Sequence, residues 1–325
     1  MSAAMPGSVH VIILNWRTAA MTLRSLEHAM AAMEGIDGAI TVVDNDSGDG
    51  SFETLQAEAE ARGWIAAGRV RVVQSGRNGG FGAGNNVVLF DPLGDGRMPD
   101  YVYLLNSDAF PRPDAIRLLR DHLDAHPRVG LAGSRIIGTD GVLHETAFRF
   151  PGMASEFETA ARSGPVSRLL RRFVVAMPVP TQAGPVDWTA GASLMMRRAM
   201  LDRIGGFDET FFLYFEETDL CRRAARAGWS THYVPQSVVE HLGSASTGMK
   251  TWQQVPEYWF ASREHYFRKN SGRLGALAVN VAHLAGTGLW RLRCIVTRRD
   301  PEIRPGFLRQ LTRHALSTRP GTLNR

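Results

Sequence analysis

Four apolar, β-branched runs fill the N-terminal third of the chain, "VHVIILNW", "AITVVDNDS", "RVRVVQS" and "DYVYLLNSDAF", and each one stops at polar side chains. The first three are separated by segments of helical periodicity, "AAMTLRSLEHAMAAM" after a capping Thr18 and "SFETLQAEAEARG". Strands that alternate with helices in this way build a mostly parallel sheet covered on both faces, so an α/β fold is expected. In open sheets of that kind the ligand sits outside the carboxyl ends of the strands. Asn15 and Trp16, Asp44 to Asp46, Gln74, and Asn106 to Asp108 stand at those ends. The sheet is therefore expected to have one chemical edge.

Further along, residues 113–126 read as a helix and "RVGLAGSRII" as a strand. Five prolines between 151 and 186 mark a long irregular region that could cover a site. "VDWTAGASLMMRRAMLDRIGGFD" gives a short strand and a helix ending near Gly205, residues 215–227 a further helix, and "STHYVPQSVVEHLGSAST" a strand pair ending in His241.

Of the 325 residues, 44% are hydrophobic, enough for a substantial core and against a disordered chain. The apolar run Val11 to Leu14 is too short for a signal sequence or a membrane span, which predicts a cytoplasmic protein. Two cysteines, Cys221 and Cys294, without a CxxC pair, point to neither a disulfide framework nor a structural zinc site. Charge is unevenly spread: residues 261–325 carry 13 Lys+Arg against 3 Asp+Glu, whereas the preceding 260 carry 24 against 29. The tail is thus where an anionic partner would dock. No zinc-finger spacing, RNP-like motif or helix-turn-helix signal accompanies it, which disfavours nucleic acid. The arginines flank "RLGALAVNVAHLAGTGLWRLR", whose Asn280, His283 and glycines argue against a spanning helix. Two readings stay open there: a peripheral helix lying on the inner face of the cytoplasmic membrane, with contact through residues 263–313, or a solvated packing helix.

Four groups could carry chemistry. The loop "GRNGGFGAGNN" is neither a Rossmann fingerprint, since Val87 occupies the third glycine position, nor a Walker A loop. Its Asn78, Asn85 and Asn86 suit sugar hydroxyls and a pyrophosphate, or else the loop is a simple turn. In "LLNSDAF", Asp108 stands just past a buried strand, where a carboxylate can serve a hard divalent cation or merely cap a turn. Glu216, Glu217 and Asp219 open a helix whose later Arg222, Arg223 and Arg226 complement its dipole. The "FFLYF" run directly before them adds burial, which pushes a Glu upward into the range of a general base. His241 follows the apolar "SVVE" and is either structural or a ligand.

Taken in order, "HVIILNW", "VVDNDSGDGS", "NGGFGAGNN", "YVYLLNSD", "WTAGASLMMRR", "GGFDETFFLYFEETDLCRRAARAGW" and "EHLGSAST" resemble the successive motifs of family 2 glycosyltransferases with the GT-A fold, in the rhamnosyltransferase-like branch of bacterial polysaccharide and cell-wall biosynthesis. The resemblance covers roughly residues 8–247. It implies a Rossmann-like nucleotide-diphospho-sugar transferase domain over residues 1–250 and a basic helical extension over 251–325. It also implies inverting transfer of a sugar, L-rhamnose from dTDP-rhamnose, to a lipid-linked or polysaccharide acceptor, with Mg²⁺ or Mn²⁺ as cofactor.

Carried onto this sequence, the resemblance puts Asn15, Asp44, Asn45, Asn78, Phe81, Asn86 and Asn106 on the donor side and Trp188, Gly191 and Ala192 at the acceptor pocket. Asp108 matches the last carboxylate of the metal-binding DxD motif, with Asn106 in place of the first acid, and His241 matches the histidine that completes the metal site in some relatives. Glu217 matches the catalytic base, where the family usually has aspartate, with Glu216 and Asp219 beside it to orient it or bind acceptor hydroxyls. The aromatic run is expected to wall the reaction site. The alternatives are a sugar-nucleotide-binding or scaffold protein without catalysis and, less favoured by the glycine spacing, an NAD-dependent enzyme.

Overall fold

The computed structural model describes residues 5–243, 252–301 and 304–316. The chain forms two compact units, one of Met1–Phe148, Pro178–Glu209 and Glu216–Gly248, the other of Arg149–Met177, Thr210–Phe215 and Met249–Arg325.

The first unit opens with β1 (Val9–Asn15), α1 (Ala19–Ala32), β2 (Gly38–Asp44), α2 (Ser51–Ala61), β3 (Val70–Gln74) and α3 (Gly80–Asn86). Next come β4 (Tyr101–Asn106), β5 (Ala109–Pro111), α4 (Ala115–Ala125), β6 (Val129–Ile137) and β7 (Ala147–Phe148). The chain then passes into the second unit for α5 (Met153–Ala161) and α6 (Gly164–Leu169). It returns for β8 (Gly184–Val186), β9 (Trp188–Thr189), β10 (Ser193–Arg197), α7 (Arg198–Ile204), α8 (Glu216–Arg226) and β11 (Ser230–His241). The second unit closes with α9 (Glu257–Thr297) and α10 (Phe307–Leu316).

The main sheet runs β3-β2-β1-β4-β10-β6-β11-β5, with β8 on β11. β3, β2, β1 and β4 are mutually parallel, β10 is antiparallel to both neighbours, and β11 is parallel to β6. The mostly parallel α/β sheet expected from the sequence is therefore the architecture. Val9, Val11 and Ile13 point to one face and pack with Leu26 and Ala29 of α1 and Leu55 of α2, all fully buried. That period of two on a twice-covered strand makes "VHVIIL" uniformly apolar.

Local departures from the sequence reading have physical causes. Thr18 stands at the N-cap of α1 but makes no capping bond, because its hydroxyl bonds Asn15 Oδ1 instead. "STHYVPQSVVEH" is one strand, not two, with a register irregularity between Val234 and Val238 that absorbs Pro235. The glycine loop is itself helical. A Cβ on Gly84 would come within 2.6 Å of Leu14, so the glycine lets α3 sit directly on β1.

In the second unit α9 bends at Gly272, the one non-helical residue inside it (φ 69°). Its buried face carries a polar cluster: Arg263, 1% exposed, bonds Asn280 Oδ1 at 2.6 Å and Glu156 Oε2 at 2.7 Å, and His283 Nδ1 lies 2.8 Å from the same carboxylate oxygen. Phe211 and Phe215 pack with Tyr266, Phe267 and Val279. Two rings of the aromatic run, Phe211 and Phe215, thus take part in this unit's core, where large rings bring the most apolar area.

Candidate active site

Register fixes the chemical edge of the first unit. Asn15 lies opposite Asp44, Asp44 opposite Gln74, and Leu14 opposite Asn106, so the polar strand ends form one row. Asn15 Nδ2 donates to Asp44 Oδ1 at 2.7 Å, and the Ser47 hydroxyl donates to the same oxygen at 2.6 Å. The Ser47 backbone N–H bonds Asp44 Oδ2 at 3.1 Å. Asp44 is 1% exposed and both its oxygens are engaged. Together Asn15 and Asp44 therefore shape the two loops that follow them. Ser47 is the hub that sequence reasoning missed: its hydroxyl also accepts the Arg17 N–H, and its carbonyl accepts Arg17 Nε. Arg17 and Asp46 both take positive φ, 55° and 57°, strained backbone held at this edge.

The next loop is held by amides. Asn45 Nδ2 donates to Asn78 Oδ1 at 3.0 Å and to the Gly80 carbonyl at 3.3 Å, while Asn45 Oδ1 is buried without a partner. Asn86 bonds both backbone groups of Phe207, donating to its carbonyl and accepting its N–H at 2.9 Å each. Asn86 therefore ties α3 to the loop after α7, a fastening that Phe207 gave no sequence signal for.

Glu216, Glu217 and Asp219 occupy the first turn of α8 as expected, but their surroundings differ. Tyr214 and Phe215 both take φ 70° immediately before them, an unusual path that costs ~1–3 kcal/mol per residue. Asp219 is fully buried and its Oδ2 accepts from Arg223 Nε at 2.8 Å. The same guanidinium bonds the carbonyls of Ile204 at 2.8 Å and Gly206 at 2.6 Å, fastening α8 to the end of α7. Glu216 and Glu217 each keep a buried oxygen, Oε2, with no hydrogen-bond partner. Burial raises the pKa of Glu217, against which its own backbone N–H and that of Gly191 pull the other way. Burial and then the neighbouring charge of Glu217 push Glu216 well above the usual carboxylate range. The helix dipole favours ionised carboxylates here by roughly 0.3–1 kcal/mol, and desolvation outweighs it.

Phe81, Gly191 and Glu217 form one corner. A methyl at Gly191 would stand 3.2 Å from Phe81 Cζ and 3.9 Å from Glu217 Oε1, so this position admits nothing larger than hydrogen without crowding the ring. One residue on, the Ala192 carbonyl accepts the Asn106 N–H at 3.1 Å. Asn106 Nδ2 lies 3.4 Å from His241 Nε2, and that nitrogen is 2.9 Å from Asp108 Oδ1. The structure thus joins Glu217, Phe81, Gly191, Ala192, Asn106, His241 and Asp108 in a continuous arc. Trp188 stacks on Phe148 with ring centroids 4.2 Å apart, across the β7–β9 pair.

Asp108 is 4% exposed and pairs with the His241 imidazole, and no group of three or more His, Cys, Asp or Glu among the described residues is arranged to hold a metal. One carboxylate and one imidazole suit a hard divalent cation whose other ligands are phosphate oxygens and water. Of the "EHLGSAST" motif, residues 244–247 lie outside the described residues.

The profile described as "Glycosyltransferase like family 2" matches residues 6–272. The chain is 31% identical over 224 residues to the N-acetylglucosaminyl-diphospho-decaprenol L-rhamnosyltransferase of Mycobacterium tuberculosis, covering 64% of this chain and 68% of that protein. It is 27% identical over 164 residues to rhamnosyltransferase WbbL of Escherichia coli, covering 48% of this chain and 58% of that one. The solved structure of mannosyltransferase PcManGT from Pyrobaculum calidifontis in complex with GDP-Man and Mn²⁺ superposes with a TM-score of 0.58 over 97% of this chain and 82% of that chain, at 16% identity, a likeness of fold. With a family profile spanning most of its length and a transferase fold around the edge just described, the chain belongs to glycosyltransferase family 2 and is a glycosyltransferase.

Proposed function

We propose that the protein transfers L-rhamnose from dTDP-rhamnose, with inversion, to a lipid-linked acceptor of cell-surface glycan synthesis, residues 1–250 supplying the transfer machinery and 251–325 a basic extension. The observation that carries the mechanism is the Glu217 carboxylate, half-buried, anchored by the Gly191 N–H, with a buried Oε2 left without a partner and a raised pKa. The named substrate of the mycobacterial relative, a diphospho-decaprenol carrying N-acetylglucosamine, supports the sugar and the acceptor class.

In the reaction Glu217 accepts the proton of the acceptor hydroxyl as that oxygen bonds the anomeric carbon. The bond from that carbon to the diphosphate breaks, and the nucleoside diphosphate leaves with the electron pair. Glu216, which burial and the charge of Glu217 push well above the usual carboxylate range, is biased toward its neutral form beside Glu217. Phe81 and Gly191 give that corner an apolar floor. Asn45 and Asn78 hold the donor loop, Asn15 and Asp44 set the nucleoside side through Ser47, and Trp188 with Ala192 borders the acceptor. Asp108 and His241 would hold Mg²⁺ or Mn²⁺, and a bound cation there offsets the charge of the diphosphate.

The test is direct: purified protein is offered a panel of labelled nucleotide sugars with a polyprenyl-diphosphate-linked N-acetylglucosamine. Transfer from dTDP-rhamnose above all other donors supports the reading. Donor binding without turnover on any acceptor would leave a sugar-nucleotide-binding protein instead.

A further inference from the structure

Beyond its bend at Gly272, α9 has two faces of opposite character. One packs within the second unit: Ala276, Val279, Asn280, Gly286 and Cys294 are buried, and a Cβ on Gly286 would come within 2.9 Å of Ala160 in α5. The opposite face is apolar and bare. Leu274 is 83% exposed, Leu292 60% and Ile295 74%, and Leu277, Val281 and Leu289 are exposed with them. At 100° per residue these side chains share an arc of about 120°. The buried ties of Arg263 and His283 to Glu156 fix which face turns inward, so among the described residues the stripe stands on the side away from the packing.

Charge identifies what covers it. Between Glu264 and Asp300 there is no acidic residue and there are seven Lys+Arg. Arg273, Arg291, Arg293 and Arg298 are exposed, on the borders and at the end of the stripe. A second copy on this face would bring those arginines against their own kind with no carboxylate to offset them. An anionic bilayer supplies both what the stripe and what its borders lack, acyl chains for the leucines and phosphates for the guanidinium groups. No helix among the described residues is long and apolar enough to cross a membrane, which leaves contact in the plane of the surface.

We infer that residues 273–298 form a membrane-surface docking helix, seated apolar face down on a bilayer rich in anionic phospholipid. The inference takes the interfacial reading of the tail over the solvated packing helix, and it stands apart from the transfer chemistry because its readout is binding.

The full chain is floated with vesicles of phosphatidylcholine alone and of phosphatidylcholine mixed equally with phosphatidylglycerol. Wild type is expected on the anionic vesicles and largely off the neutral ones. Leu277→Ser/Val281→Ser/Leu292→Ser, all solvent-facing, should keep the wild-type melting temperature and bind at least ~10-fold more weakly. Arg291→Gln/Arg298→Gln should lose roughly fivefold per arginine and with it the preference for anionic lipid. Wild type that stays free of anionic vesicles overturns the inference, as does a triple-serine variant that binds as wild type. A wild-type dimer that the triple-serine variant splits into monomers, seen by sedimentation, assigns the stripe to a second copy and overturns it equally.

Discussion

Asp108 Oδ1 and His241 Nε2 meet at 2.9 Å although 133 positions separate them in sequence. The meeting is made by strand pairing: β5 runs antiparallel to β11 and sets Ala109 opposite His241, with a backbone bond from Leu242 N–H to the Asp108 carbonyl continuing the ladder. As the proposed cation ligands, one carboxylate and one imidazole are expected to bind weakly without the donor's phosphates. Chelation should abolish transfer and Mn²⁺ or Mg²⁺ should restore it. In Asp108→Asn the cation concentration for half-maximal rate should rise by at least about tenfold. Wild-type transfer indifferent to chelator would give the pair a structural job.

Glu217→Gln keeps the shape of the corner and removes the proposed proton acceptor. The turnover rate should fall by about 10²–10⁴-fold while dTDP-rhamnose affinity, read by calorimetry, stays near wild type. A variant that folds, binds donor and turns over at the wild-type rate would remove Glu217 from the chemistry.

The two neighbouring glutamates titrate as a pair, and burial raises both, Glu216 the more strongly through the added charge of Glu217. Glu217 therefore ionises first, facing a neutral Glu216. Activity should rise with pH on a limb lying above the ordinary glutamate value of 4.5. Because native carboxyls that hold protons above that value disfavour the charged folded state, stability should decline as pH climbs from 4.5 through the raised pKa values. In Glu216→Gln the activity limb should keep its position, since the neighbour was uncharged while Glu217 titrated. A limb that moves or vanishes in that variant would make Glu216 the base.

The sheet and its polar edge were legible because burial on both faces forces continuous apolar runs, and those runs end where the ligand side begins. The pairing of Asp108 with His241 was legible only through resemblance, for no local pattern connects them. Ser47, Arg223 and Phe207 act through backbone carbonyls and N–H groups of distant loops, and such bonds place no demand on neighbouring sequence. The packing of Phe211 and Phe215 was hidden too, because a greasy segment beside acids reads alike whether it faces a substrate or a helix such as α9.

Asp219 Oδ2 accepts from Arg223 Nε, and the same guanidinium also holds the Ile204 and Gly206 carbonyls. Removing the carboxylate charge leaves a guanidinium, 19% exposed, with its strongest partner gone. Asp219→Asn should lower unfolding free energy by about 3 kcal/mol in urea titration, the cost of breaking one partner of a buried pair. Transfer per folded molecule should stay within a few-fold of wild type. A variant as stable as wild type but inactive would return Asp219 to the reaction.

The second unit should be sensitive to acid through Glu156. Burial opposes ionisation of this carboxylate, but the Arg263 charge and the His283 hydrogen bond overcome it and hold the pKa at about 2, below the ordinary 4.5. A carboxylate depressed on folding stabilises fully above its unfolded value and loses that contribution as pH falls from 4.5 toward 2. Denaturant titrations at pH 7 and pH 3 should therefore show a drop that Glu156→Gln lacks. The variant itself should be weaker at pH 7 by about 3–5 kcal/mol, because Arg263, 1% exposed, would keep its charge without the carboxylate that balances it. Equal stability of wild type and variant at pH 7 would mean that Asn280 alone satisfies the buried guanidinium.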